Sequence, residues 1–158
     1  MDEQNINTLI FEKMKIAEVQ LNYKPTGKLT DLETCTGSAD AEKFFRSIWG
    51  DKIDYIEQFY VLLLNRSSKI IGFLKISEGG TCGTVVDAKV VFQGALKTNA
   101  HNIILCHNHP SGNKKPSEPD ISLTKKLREA GKYLEITVLD HIILTSESYF
   151  SFADEGLI

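Results

Sequence analysis

The chain predicts an α/β domain, one β-sheet of mixed strand direction with helices flanking it. Three observations carry that reading. Two apolar runs, Gln58 to Leu64 and Lys69 to Ile76, are separated only by Asn65-Arg66-Ser67-Ser68, which is hairpin spacing. Beyond them, segments with helical periodicity alternate with short apolar runs, the order of a sheet with crossover helices. The run Asn102 to His107 is aliphatic and β-branched and meets no breaker until Pro110, as a buried central strand requires.

The remaining elements follow in chain order. Residues 1 to 35 read as an N-terminal extension, in which Ile16 to Tyr23 alternates like a strand and Pro25-Thr26-Gly27 makes a turn. Ala41, Phe44, Phe45, Ile48 and Trp49 recur at helical spacing, predicting a helix from Asp40 to Trp49 capped by Ser38 or Asp40. Ala88 to Ala100 is a second helix. After the central strand, Pro110-Ser111-Gly112 and Lys114-Lys115-Pro116 force a loop. Ser117-Glu118-Pro119-Asp120 then opens an amphipathic helix over Ile121 to about Ala130, with Ser117 and Asp120 forming a variant of the capping box. Gly131 is expected to end that helix. Glu135 to Leu144 supplies another strand, and Tyr149 to Phe152 a short edge strand.

Composition narrows the function classes. At 158 residues, 42% hydrophobic and 25% charged, the chain is one globular domain by length, large enough for a real core. The longest apolar run, Phe59 to Leu64, is far too short to cross a bilayer, so no membrane partner is expected. The start, Met1-Asp2-Glu3-Gln4-Asn5, lacks the basic and apolar regions of a secretory signal. Cys35, Cys82 and Cys106 are scattered and include no Cys-x-x-Cys, which suits reduced thiols and a cytoplasmic protein. A net charge of −3 offers no general attraction to a polyanion. The densest basic spots, Lys114-Lys115 and Lys125-Lys126 with Arg128, read as a surface loop and the solvated face of a helix. Nothing in the pattern specifies an oligomer.

The chemistry concentrates in one stretch. His107-Asn108-His109 is followed, after seven residues, by Ser117-x-x-Asp120. Residues two apart on a strand share a face, so His107 and His109 project together. Two imidazoles and the carboxylate of Asp120, carried on a strand–loop–helix unit, are three ligands of a tetrahedral zinc site, one ion per chain. Three protein ligands leave a fourth position for water, the arrangement of a catalytic site. Ser117 and Asp120 also satisfy the simpler role of capping a helix. Cys106 is sent to the opposite face from His107 and reads as a core thiol, while His101 reads as a surface residue.

These residues carry a family likeness. His107-Asn108-His109-Pro110-Ser111-Gly112, Pro116-Ser117, Asp120 and Leu139-Asp140-His141 closely resemble the RadC branch of the JAMM (MPN-plus, JAB domain) metalloproteins. The likeness extends through Gly79-Gly80-Thr81, Ala95-Leu96, Asn99-Ala100, Lys125-Lys126-Leu127 and Ala130-Gly131, and covers residues 36 to 158, the expected domain. It implies a cytidine-deaminase-like sheet, zinc bound by the two histidines and the aspartate, an upstream glutamate as general base, and the serine as support for an oxyanion. RadC-type proteins commonly carry a further N-terminal helix-hairpin-helix-type module, for which the residues ahead of 36 are too few. One departure stands out: the usual His-Pro-Arg-Glu is here Asp87-Ala88-Lys89-Val90, which loses a bidentate arginine donor and puts any partner read by it in doubt.

A metal-bound water still needs a group to take its proton, and Asp120 is committed to the metal. Glu57 stands at the head of the first apolar strand, where the family places its glutamate in a matching Glu-x-Phe context. Glu78, in a Ser-Glu-Gly-Gly turn, and Glu42, on a helix face, are its rivals. Ser117 takes the oxyanion role by resemblance. Asp140-His141 ends a buried strand, with a role in orienting a ligand and a purely structural one both open. The leading expectation is a zinc-dependent hydrolase of peptide or isopeptide bonds, a metallopeptidase acting on a peptide or protein substrate. The alternatives are a RadC-like role in DNA repair on or near nucleic acid, and a noncatalytic MPN scaffold. Against repair stand the absence of a basic stripe and of an aromatic stacking pattern; against a scaffold, every ligand position is filled. A deaminase is disfavoured because no Pro-Cys-x-x-Cys follows.

Overall fold

The computed structural model describes residues 19–20, 22–79 and 85–158. Eight principal elements follow one another as α1 (Ser38–Trp49), β1 (Gln58–Leu64), β2 (Ile70–Glu78), α2 (Ala88–Lys97), β3 (Asn102–Asn108), α3 (Glu118–Tyr133), β4 (Thr137–Leu144) and β5 (Tyr149–Ser151). The five strands make one mixed sheet in the order β2-β1-β3-β4-β5. Only β3 and β4 are parallel, and the helix between them, α3, is the crossover that parallel pairing demands. The predicted α/β class is the observed one.

β1 and β3 lie at the centre, and their continuous apolar character follows from cover on both faces. On one face Phe59, Val61, Leu63, Ile103 and Leu105 pack against Val91, Phe92 and Ala95 of α2 and Leu127 of α3. On the other, Tyr60, Leu62, Leu64, Ile104 and Cys106 pack against Ala41, Phe45 and Trp49 of α1. Each fully buried aliphatic or aromatic side chain contributes about 1.5–3 kcal/mol. This two-sided core holds the C-terminal end of β3 rigidly where it emerges towards the loop.

Several boundaries differ from the sequence reading. The first helix starts at Ser38, its N-cap position is Gly37, and neither Ser38 nor Asp40 caps it. Asp40 instead reaches back from the first turn to accept from Thr36 N and Oγ1 at 2.8 and 2.7 Å. The second helix stops at Lys97 rather than Ala100, because Asn99 turns left-handed at φ 53° and Ala100 N returns to Ala95 O. Gly131 does not end α3. It lies inside the helix, where its missing side chain lets the chain close back so that Ile136 N donates to Gly131 O at 2.9 Å. Glu135 makes that reversal at φ 56°, so β4 begins at Thr137, not Glu135. The strand expected over Ile16 to Tyr23 falls mostly outside the described residues; Val19, Gln20, Asn22 and Tyr23 are exposed and belong to no strand. Residues 33–35 do reach the sheet edge: Ile70 N donates to Glu33 O and Cys35 N to Ser68 O, both at 2.9 Å.

Candidate metal centre

His107 is the penultimate residue of β3 and His109 follows the strand end. The alternation expected from the sequence holds: His107 emerges on the α2/α3 face, while Cys106 points into the α1 cluster. Burial pushes the Cys106 thiol well above its ordinary range, so it is an inert core group. Asp120 arrives from the first turn of α3. The capping box forms as read, Ser117 Oγ accepting from Asp120 N at 3.3 Å while Ser117 N donates to the Asp120 carboxylate at 2.7 Å. That box fixes the carboxylate's direction.

The three side chains converge. His107 Nε2 and His109 Nε2 are 3.0 Å apart, and Asp120 Oδ1 and Oδ2 lie 3.2 and 3.5 Å from them. All three ligating atoms fall within 4.8 Å of one another, a group that can hold a metal ion. The donor chemistry fits a cation. His109 Nδ1 is 2.6 Å from the Asn113 carbonyl, which can only accept, so Nδ1 carries the proton and the neutral ring has its Nε2 lone pair free. That lone pair faces a carboxylate and a second imidazole nitrogen. The hydrogen bond to Asp120 raises the His109 pKa, with Glu57 a weaker contributor. Asp120 is held far below the usual carboxylate range despite its burial, by the adjoining His107 and His109 rings and the Ser117 hydroxyl. A cation held there would meet the His109 Nε2 lone pair and an ionised Asp120 carboxylate.

Of the candidate bases, Glu57 sits on the right side. It immediately precedes β1, two residues before Phe59, which pairs with His107, and its charge lies near enough to His109 to raise that ring's pKa. Gln58 pairs with Glu78 and packs on the other face. Glu78 is bound there by Lys52, Lys75 and Gln58, which hold its carboxyl down to about 2. Glu42 is paired with Arg46 on α1, also across the sheet. Ser117 Oγ donates to Asp120 Oδ2 at 2.6 Å, so its one proton is already engaged in this arrangement. His101 is exposed, as are Lys114, Lys115, Lys125 and Lys126, in keeping with a solvated loop and helix face.

Asp140 and His141 part company. β4 carries a register shift opposite Ile103/Ile104, so that Val138 pairs with Ile103 but Asp140 with Ile104. The extra residue, Leu139, reverses the alternation. His141 therefore faces the metal side, with Nε2 2.8 Å from His107 Nδ1. It is fully buried between Phe59 and Phe152, the latter stacked on it at 4.8 Å, and burial holds its pKa well below the ordinary value. Asp140 faces away and accepts from Ser151 Oγ, His141 N and Ala153 N.

Two residues at the site went unread in the sequence. Asn108, between the two histidines, turns to the opposite face and is fully buried. Its Nδ2 donates to Ile53 O and Ile56 O at 2.7 and 2.8 Å, and its Oδ1 accepts from Gln58 N at 2.8 Å, pinning the segment that carries Glu57. Thr124, four residues after Asp120, contacts His141 Nδ1 at 2.6 Å. Helical i, i+4 spacing could have flagged Thr124; no sequence signal marks Asn108.

A mixed sheet that presents two histidines from a strand end and an aspartate from the next helix, a group that can hold a metal ion, defines a JAB-type domain. The chain belongs to the RadC-like JAB domain family, whose model matches residues 35–157. It is 44% identical over 143 residues to a "UPF0758 protein" of Flavobacterium johnsoniae, covering 90% of this chain and 62% of that protein. A "UPF0758 protein" of Porphyromonas gingivalis is 46% identical over 103 residues, 65% of this chain and 45% of the relative. One from Syntrophomonas wolfei is 34% identical over 144 residues, 90% of this chain and 61% of the relative. The chain thus spans about half the length of the curated relatives it matches.

Proposed function

We propose that this domain is a zinc-dependent hydrolase of amide bonds, peptide or isopeptide, with His107, His109 and Asp120 as metal ligands and Glu57 as general base. The observation that carries the reading is the convergence of two imidazole nitrogens and a carboxylate, with Glu57 at the head of the strand whose Phe59 pairs with His107. Zinc held by such a donor set supplies a water acidified to a pKa of about 7 and polarises a carbonyl. Glu57 takes the water's proton and returns it to the leaving amine, positioned by Asn108, whose bonds to Ile56 O and Gln58 N grip the chain on both sides of it. Ser117 serves the oxyanion by turning its hydroxyl from Asp120 towards the substrate. Buried free thiols at Cys35 and Cys106 suit a cytoplasmic setting.

The test uses zinc-loaded protein with quenched peptide and isopeptide libraries. Glu57→Gln keeps the size and a hydrogen-bonding group, so zinc stays near one per chain while turnover falls about 10²–10⁴-fold. Full activity in Glu57→Gln, or no turnover of any amide by wild type, overturns the assignment.

A further inference from the structure

We propose that Thr124 and His141 form a proton-ordering relay that fixes the tautomer of His107, leaving its Nε2 lone pair directed at the metal position. The metal-ligand reading above gives the relay its purpose, while the proton positions follow from the hydrogen-bond partners. Thr124 Oγ1 lies 2.6 Å from the carbonyl oxygen of Asp120. Two oxygens at that distance need a proton between them, and a carbonyl has none, so the threonine hydroxyl donates there. Having one proton, Oγ1 can only accept from its other neighbour, His141 Nδ1, also at 2.6 Å. His141 therefore carries its proton on Nδ1. Its ring is fully buried against Phe59 and Phe152, which makes a second, charging proton costly. The neutral ring leaves Nε2 bare, and Nε2 accepts from His107 Nδ1 at 2.8 Å. His107 is thus Nδ1–H, and its Nε2 faces His109 and Asp120 as a lone pair.

The order has a direction that matters. Run backwards, with Thr124 donating to His141, the chain would place a proton on His107 Nε2 and block a ligand position. Asp120 enters twice: its carboxylate is a ligand and its backbone carbonyl starts the relay, so one turn of α3 sets both the third ligand and the tautomer of the first. His141 and Thr124 are positioning residues; neither reaches the reacting atoms. Metal ligands oriented this way commonly lose about 10–100-fold in metal affinity when the supporting partner is removed.

The test is read first without metal. Long-range ¹H–¹⁵N spectra of metal-free wild type at about pH 9, where ordinary imidazoles near pKa 6.5 are neutral, should show Nδ1–H for both His107 and His141. An Nε2–H form of His107 overturns the relay. Thr124→Val keeps the shape but removes the acceptor, leaving a buried Nδ1–H without a partner. His141 should then move its proton to Nε2 and donate to His107, which becomes Nε2–H, and zinc affinity should fall about 10–100-fold. Thr124→Ser retains the hydroxyl and should restore both tautomer and affinity. Unchanged tautomers and affinity in Thr124→Val overturn the proposal. A wild type with the Nδ1–H pattern that takes up no zinc would instead sink the hydrolase reading and leave the relay supported.

Discussion

Asp140 and His141 are adjacent in sequence and do unrelated work. The three donors that Asp140 satisfies come from β4 itself, from Ser151 of β5 and from Ala153 in the turn beyond, so its carboxylate ties the C-terminal segment to the sheet. Asp140→Ala leaves those donors buried and unpaired, at about 1–3 kcal/mol each without full additivity. The expected loss of unfolding free energy in urea titration is about 3 kcal/mol or more, with zinc stoichiometry unchanged in the folded fraction. Loss of zinc from folded Asp140→Ala would show that the two faces are coupled. The metal trio itself was legible because strand alternation and a capping box are local rules, fixed by sequence spacing. His141 was not, because which of the two residues faces the metal depends on one extra residue at Leu139, and a register shift leaves no mark in composition. Asn108 hid for a related reason: its partners, Ile53, Ile56 and Gln58, are about fifty residues away in the chain.

At the scale of elements, the strands were readable from their apolar runs, whereas the helix ends depended on close approach. Gly131 and Gly94 show the difference. A methyl group at Gly131 would sit 2.3 Å from the backbone oxygen of Ile136, which the turn into β4 cannot move. Gly131→Ala should therefore cost about 1–3 kcal/mol or more, outweighing the roughly 1 kcal/mol that alanine gains in a helix. At Gly94 the obstacle is the far end of the half-buried Leu74 side chain on β2, which must shift for a methyl group to fit but is not backbone. Gly94→Ala should change stability by less than about 1 kcal/mol. Equal midpoints for the two variants in denaturant titration would contradict this. The β1–β2 edge makes a pH prediction. Glu78 is depressed by Lys52, then Lys75 and Gln58, from an ordinary 4.5 to about 2. A depressed carboxylate stabilises fully above its unfolded pKa and loses that contribution as pH falls towards its folded one. The stability gap between wild type and Glu78→Gln should hold steady above about pH 5 and close between about pH 4.5 and 2. A gap that widens on acidification would reverse the assignment.

The whole molecule bears on the competing reading, a role in DNA repair. Among the described residues, no helix is long and apolar enough to cross a membrane, so the surface question is one of charge. The formal net charge is −3. The exposed lysines are scattered, with Lys114 and Lys115 in the 109–117 loop, Lys125, Lys126 and Lys132 on α3 and others such as Lys28, Lys43, Lys89 and Lys97 elsewhere, while acidic Glu118 and Glu129 are exposed on α3. Affinity for duplex DNA comes largely from phosphates neutralised, each releasing counterions, and log K falls with log salt in proportion to their number. A divided set of lysines on an acidic domain can neutralise few phosphates at once. Duplex and single-stranded DNA should therefore bind this domain no more tightly than the weak end of non-specific affinity, about 10⁻⁴ M at physiological salt, with a shallow salt slope. Submicromolar binding near about 150 mM salt with a steep slope would show a phosphate-reading face and favour the repair role. If the relatives' remaining length carries nucleic-acid affinity, a full-length relative should bind DNA under conditions where this domain does not. A full-length relative and this domain binding equally well would place that affinity in the domain and remove the charge argument against repair.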